Sequence, residues 1–138
     1  MARLRLSEST GQCSLFENSR LGIAITNSTF RFLTANPAFL KMLGYSSEEL
    51  QQQSFLDICI DEDRHEYRVA LRELREGARL QYETETRCQR KDGTLLPVNT
   101  YFSAVSGRAP TQLTFLMVTV DITARRAAED ALARLNRS

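Results

Sequence analysis

The stretch FLMVTVDIT, residues 115–123, runs without a break into ARRAAEDALARLNRS, residues 124–138, and its reading decides the rest of the chain. Phe115 to Val120 is an apolar, β-forming run, the pattern of a strand. From Ala124 the period changes. Ala124, Ala128, Ala131 and Leu135 recur at spacings of four and three among Arg, Glu and Asp, which is the narrow seam of a coiled coil. Asp121, Ile122 and Thr123 join the two parts, with Asp121 ending the strand and Thr123 placed as the helix N-cap. A strand that hands over to an outgoing helix is an output element. These three residues are therefore the expected signal relay of a domain that reports to something downstream.

The segments before this stretch supply the rest of a sheet. Leu80 to Arg90 alternates Glu83, Glu85, Arg87 and Gln89 with Tyr82, Thr84, Thr86 and Cys88, a half-buried strand. Lys91-Asp92-Gly93 predicts a hairpin turn, and Leu95 to Ala104 returns antiparallel. Nearer the start, Gly22 to Thr26 reads as a strand, Asn27-Ser28-Thr29 as a turn and Phe30 to Thr34 as a second short strand. Helices lie between. Asn36 can cap free N–H groups and Pro37 suits the first helical position; the helix carries Phe39, Leu40, Met42 and Leu43 and stops at Gly44. Ser46 and Glu49 form a capping box for another short helix. Asp61 opens a longer one whose face is Tyr67, Ala70, Leu71 and Leu74, ended by Gly77. A strand pair, several helices, then a three-strand meander make an α+β fold with helices on one face of an antiparallel sheet.

Composition narrows the function classes. The 138 residues, 42% apolar, suit one domain with a real core. Eighteen basic against seventeen acidic residues leave a net charge of +1, which gives no field for nucleic acid as a direct partner. No apolar run approaches the roughly 20 residues of a membrane span, and the start lacks a signal-peptide h-region. Cys13, Cys59 and Cys88 share no close spacing, so neither a zinc site nor a disulfide scaffold is expected, and a reducing cytoplasm is. Cys59 and Cys88 read as buried small hydrophobes. No catalytic constellation emerges: the chain has one histidine and no GxSxG, HExxH or phosphate-cradling glycine loop.

The motifs Asn36-Pro37-Ala38-Phe39, Leu43-Gly44-Tyr45-Ser46, Glu49-Leu50, Asp63-Arg64, Arg90-Lys91-Asp92-Gly93 and Asp121-Ile122-Thr123 occur in an order and spacing that resembles the PAS domain family. The resemblance covers residues 14–123, with residues 1–13 as a tail and residues 124–138 as the start of a C-terminal signalling helix. It implies a PAS fold: a five-stranded antiparallel sheet in the order 2-1-5-4-3, short helices over the concave face, and flanking N- and C-terminal helices. It further implies a sensory module that passes a signal to an output domain in the same chain, a histidine kinase first among the candidates. A transcription regulator or diguanylate cyclase carrying a constitutive, ligand-free dimerisation module is the alternative.

No cofactor is expected from the family's two prominent types. The reactive cysteine of its flavin-binding light sensors would align near Ser54, where Gln51-Gln52-Gln53-Ser54-Phe55 has no match, so covalent flavin is not expected. Haem-binding members use a histidine on the long helix. His65, the sole histidine, falls opposite the apolar face of that helix at about 100° per residue, and the ligand position aligns nearer Tyr67.

Strand phase assigns a lining to the space between helices and sheet. Ala24 and Thr26 come from the first strand, and Tyr82, Thr84, Thr86 and Cys88 from the third. Val98, Thr100 and Phe102 belong to the fourth, and Phe115, Met117 and Thr119 to the last. Phe39, Met42, Ile58, Tyr67 and Leu71 come from the helices. Mostly apolar with several hydroxyls and no charge, this lining suits a small neutral ligand. The opposite phase, Ile23, Ile25, Leu116, Val118 and Val120, makes an outer apolar patch. An N-terminal helix bearing Leu15 and Phe16, or a second copy of the domain in a homodimer, is expected to cover it.

Overall fold

Five strands, β1 (Gly22–Thr26), β2 (Phe32–Ala35), β3 (Gln81–Gln89), β4 (Leu95–Val105) and β5 (Thr114–Asp121), build one antiparallel sheet in the order β2-β1-β5-β4-β3. Four helices, α1 (Pro37–Leu43), α2 (Ser47–Leu50), α3 (Phe55–Ile58) and α4 (Asp61–Glu76), connect β2 to β3, and α5 (Thr123–Arg137) follows β5. The computed structural model describes residues 21–105 and 113–137. Leu15, Phe16 and the expected tail and N-terminal helix lie outside the described residues.

Local chemistry sets the helix ends. Asn36 is fully buried; its Oδ1 accepts from the Phe39 and Ile23 N–H groups at 3.0 and 2.9 Å. Its Nδ2 donates to the Leu21 carbonyl at 2.9 Å, so one side chain caps α1 and fastens it to the start of β1. Gly44 ends α1 at φ 84, a left-handed conformation that costs glycine little. Ser46 and Glu49 close the expected capping box around α2. In α4, Tyr67, Ala70, Leu71 and Leu74 are buried while His65 is exposed, and Gly77 takes the left-handed cap at φ 82.

The expected hairpin holds its register along β3 and β4, with Tyr82 opposite Phe102, Thr84 opposite Thr100 and Thr86 opposite Val98. Near β2 the chain differs from expectation. The strand begins at Phe32 rather than Phe30, because the Asn27 side chain gathers Thr29 N–H, Thr29 Oγ1 and Arg31 N–H into a tight turn. That turn puts Phe30 at φ 65 with its ring buried. A bulge then skips Leu33 between β1 and β2. Helix α3 is a further addition, opened where the Asp57 carboxylate accepts the Ser54 N–H at 2.8 Å.

Candidate functional site

The inward rows of the sheet bring the expected lining together. Gly22, Thr119, Thr100 and Thr84 form one row across β1, β5, β4 and β3; Ala24, Met117, Phe102 and Tyr82 form the next. Thr26 pairs with Phe115, and Val98 with Thr86. From the helices, Phe39, Ile58, Tyr67 and Leu71 are buried against these rows, while Met42 and Thr84 are half-buried at the margin.

Aromatic rings occupy much of this interior. Phe55 packs edge-on to Tyr67 at 4.8 Å and to Phe102 at 4.9 Å. Phe30 stacks on Phe115 at 4.5 Å, and Tyr82 meets Tyr67 edge-on at 5.9 Å. Phe55 and Phe30 are absent from the sequence-derived lining. The Ser54/Asp57 spacing could have revealed the helix that delivers Phe55, whereas Phe30 arrives by a positive φ that its residue type disfavours.

The hydroxyls divide into two groups. Thr26 donates to the Asn27 carbonyl at 3.1 Å, and Tyr82 to the Glu66 carboxylate at 3.1 Å. Thr86 donates to Asp63. Asp63 and Glu66 thus add charge at the α4 edge, where the sequence-derived lining has none. Burial, and then Glu66, push the Tyr82 phenol up to about 12. Burial also raises Tyr67, and pushes the Cys88 thiol up to about 12. The Tyr67, Thr100 and Thr119 hydroxyls are buried without a protein hydrogen-bond partner. Thr100 and Thr119 stand directly opposite one another on β4 and β5. Buried hydroxyls without a partner are costly, and native interiors leave few of them.

The relay residues sit where β5 ends. Asp121 Oδ1 accepts from the Thr123 N–H at 2.9 Å and from its hydroxyl at 2.6 Å. Thr123 is therefore the first helical residue and a donor, and the expected N-cap role passes upstream: the Ile122 carbonyl accepts from Arg126 N–H. Ile122 is buried, and its N–H donates to the Pro97 carbonyl at 3.1 Å, tying the joint to β4. Beyond the joint no residue of α5 is buried; Arg125 reaches back to Glu85 on β3 at 2.5 Å. The outer patch of Ile23, Ile25, Leu116, Val118 and Val120 is half-buried, with Ile23 paired to Val118 and Ile25 to Leu116.

Among the described residues, no group of three or more His, Cys, Asp or Glu side chains is placed to hold a metal ion. Nor is any described helix long and apolar enough to cross a membrane.

Known proteins share both sequence and shape with this chain. The pattern of the PAS domain matches residues 20–124. Over 122 residues the chain is 30% identical to Sensor histidine kinase TmoS of Ectopseudomonas mendocina, a match that takes in 88% of this chain and 12% of that protein. The chain thus spans about an eighth of the length of this curated relative. The PAS domain of a Colwellia psychrerythraea protein superposes with a TM-score of 0.73 at 18% identity, over 83% of this chain and 96% of that one. A domain of a sensory box sensor histidine kinase/response regulator from Geobacter sulfurreducens gives 0.70 at 20% identity, over 83% and 94%. With its pattern matched over most of the chain and its sheet in the order β2-β1-β5-β4-β3, this protein belongs to the PAS domain family.

Proposed function

We propose that this PAS domain senses a small, neutral or weakly polar ligand between helices and sheet, and passes the response through β5 and the Asp121-Ile122-Thr123 joint to α5. The observation that carries the reading is the pair of buried, unpartnered hydroxyls of Thr100 and Thr119, one of which lies on the strand that becomes the output helix. A ligand that satisfies them gains free energy only in the conformation that presents them, which is the differential affinity a population shift requires. The ligand set is Ala24, Thr26, Phe39, Met42, Ile58, Tyr67, Leu71, Tyr82, Thr84, Thr86, Cys88, Val98, Thr100, Phe102, Phe115, Met117 and Thr119. The domain itself carries out no chemistry.

The parent protein in this reading is a cytoplasmic sensor histidine kinase, supported by the likeness to TmoS. Its domains pair as a homodimer through the outer patch and the Ala124, Ala128, Ala131 seam of α5. Thermal melts against pools of small neutral metabolites test the ligand. At a hundredfold excess over Kd, a specific ligand adds about 2.7 kcal/mol, or roughly 10 °C in Tm. Thr100→Val should abolish that gain. If no pool raises Tm, the ligand reading is lost.

The packed rings of Phe55, Phe102, Tyr67 and Tyr82 favour a second reading, a constitutive dimerisation module with a filled core. It requires that Thr100→Val leave output in the full-length protein unchanged.

A further inference from the structure

We infer that Cys59 and Cys88 form a reversible disulfide that staples the α3–α4 junction to β3. The two residues lie far apart in sequence, yet Cys59 pairs across the free edge of β3 with Cys88 in an isolated antiparallel bridge. Neither is in a disulfide, and both are buried.

The hydrogen-bond phase of β3 identifies the kind of pair. Arg90 N–H donates to the Thr94 carbonyl at 2.8 Å, so Arg90 and Thr94 are a hydrogen-bonded pair at the hairpin end. Such pairs alternate along an antiparallel ladder, which makes Cys88 and Leu96 hydrogen-bonded as well. The intervening pair, Arg87 with Pro97, is of the open kind, as proline's missing N–H requires. The N–H and C=O of Cys88 therefore turn toward β4 and away from Cys59. Cys59 and Cys88 form an open pair, in which Cα atoms stand about 4.5 Å apart and side chains approach closely on one face. A disulfide needs Cα atoms about 4.4–6.8 Å apart. The bond would replace a weak contact, the Cys59 thiol donating to the Phe55 carbonyl at 3.4 Å.

Burial holds both thiols protonated; Cys88 and then Asp63 add to the effect at Cys59, and Asp63 adds to it at Cys88. Closed protein is therefore slow to react, and oxidation proceeds through opening of the four-residue α3. The oxidant is a low-molecular-weight disulfide. One cysteine, as thiolate, attacks it and expels one thiol; the second cysteine then displaces the other thiol from the mixed disulfide. Two protons leave the cysteines, two electrons pass to the oxidant, and one S–S bond replaces another.

The test equilibrates the purified chain in glutathione buffers of graded redox ratio, with and without urea below the unfolding midpoint to relieve the access barrier. Free thiols are then blocked with a maleimide in strong denaturant, and mass and peptide maps are read. The expected result is a chain carrying one maleimide in place of three, about 2 Da lighter than that single adduct alone predicts, with one crosslinked peptide joining Cys59 to Cys88; the crosslink is retained in Cys13→Ser and lost in Cys59→Ser. A disulfide that maps to Cys13 overturns the inference. So does a glutathione adduct that never resolves, or two blocked thiols at every ratio in both conditions. The readout is the bond itself, so it does not depend on a variant's folding.

Discussion

Asn36→Ala should be among the most damaging single substitutions in this domain. The side chain is fully buried and serves three backbone groups at once. Removing it takes the cap from α1, worth about 1 kcal/mol. It also leaves the Ile23 N–H without its acceptor, at about 1–3 kcal/mol for a buried group. The Leu21 carbonyl is lost as a partner too, but Leu21 is 43% exposed and water can replace the amide there. The sum is about 2–4 kcal/mol, or roughly 10 °C in Tm for a chain of this size. Urea unfolding followed by circular dichroism measures the loss, and amide exchange at Ile23 and Phe39 locates it. Asn36→Asp keeps both acceptor bonds and loses the donor, so it should fall between Ala and the native residue. A loss below about 1 kcal/mol with Ile23 still protected would refute the reasoning, because it would mean that the turn between β2 and α1 holds without its side-chain clamp.

Three further outcomes follow from other parts of the interior. Thr100→Val keeps the side chain's shape and removes a hydroxyl with no protein partner, so ligand-free stability should hold or rise by about 1 kcal/mol. A loss of that size in denaturant titration would show that the hydroxyl is satisfied in solution. Gly22→Ala would put a Cβ 3.1 Å from Phe39 Cδ1 and 3.3 Å from the Phe39 Cα; thermal melts should show a cost of about 1–3 kcal/mol, and a neutral result would mean α1 retreats freely. The Tyr82 phenol, held up to about 12, lies above its unfolded value of about 10. Its contribution is whole below about pH 10 and fades as pH climbs through the folded value, so stability should fall across that window. Tyr82→Phe should flatten that fall; ultraviolet titration showing Tyr82 ionising near its unfolded value of about 10 would contradict it.

What the sequence made legible is what short-range chemistry controls. Strand phase placed Thr84, Thr100 and Thr119 on one face because side chains alternate strictly along a strand; the Asp92-Gly93 turn set Thr84 opposite Thr100, and only the pairing of β4 with β5 brought Thr119 into their row. Asn36, Ser46, Gly44 and Gly77 marked helix ends by side-chain and backbone preferences that act within four residues. The failures are positions where a distant partner or a strained backbone decided. Phe30 entered the core through a positive φ imposed by the Asn27 turn, against the preference of an aromatic residue. Thr123 looked like a cap, but Asp121 two residues earlier captured its hydroxyl. Asp63 and Glu66 reach Thr86 and Tyr82, contacts that only the packing of α4 on β3 creates. No local pattern announces such a pairing.

β5 lies between β1 and β4 and is hydrogen-bonded along both edges. Mechanically it is a beam clamped on its two long sides, with α5 leading from its end. Sliding such a beam by one residue would break both ladders together and expel Phe115, Met117 and Thr119 from the core. Translation along its own axis is therefore closed to it as a small-amplitude motion. Two degrees of freedom remain: a change of twist shared by the whole sheet, and a swivel about the three residues from Asp121 to Thr123. In the proposed relay the helix would inherit rotation and tilt rather than piston travel, and a rotation of a few tens of degrees is enough to change which face of a 3.6-residue helix meets its neighbour.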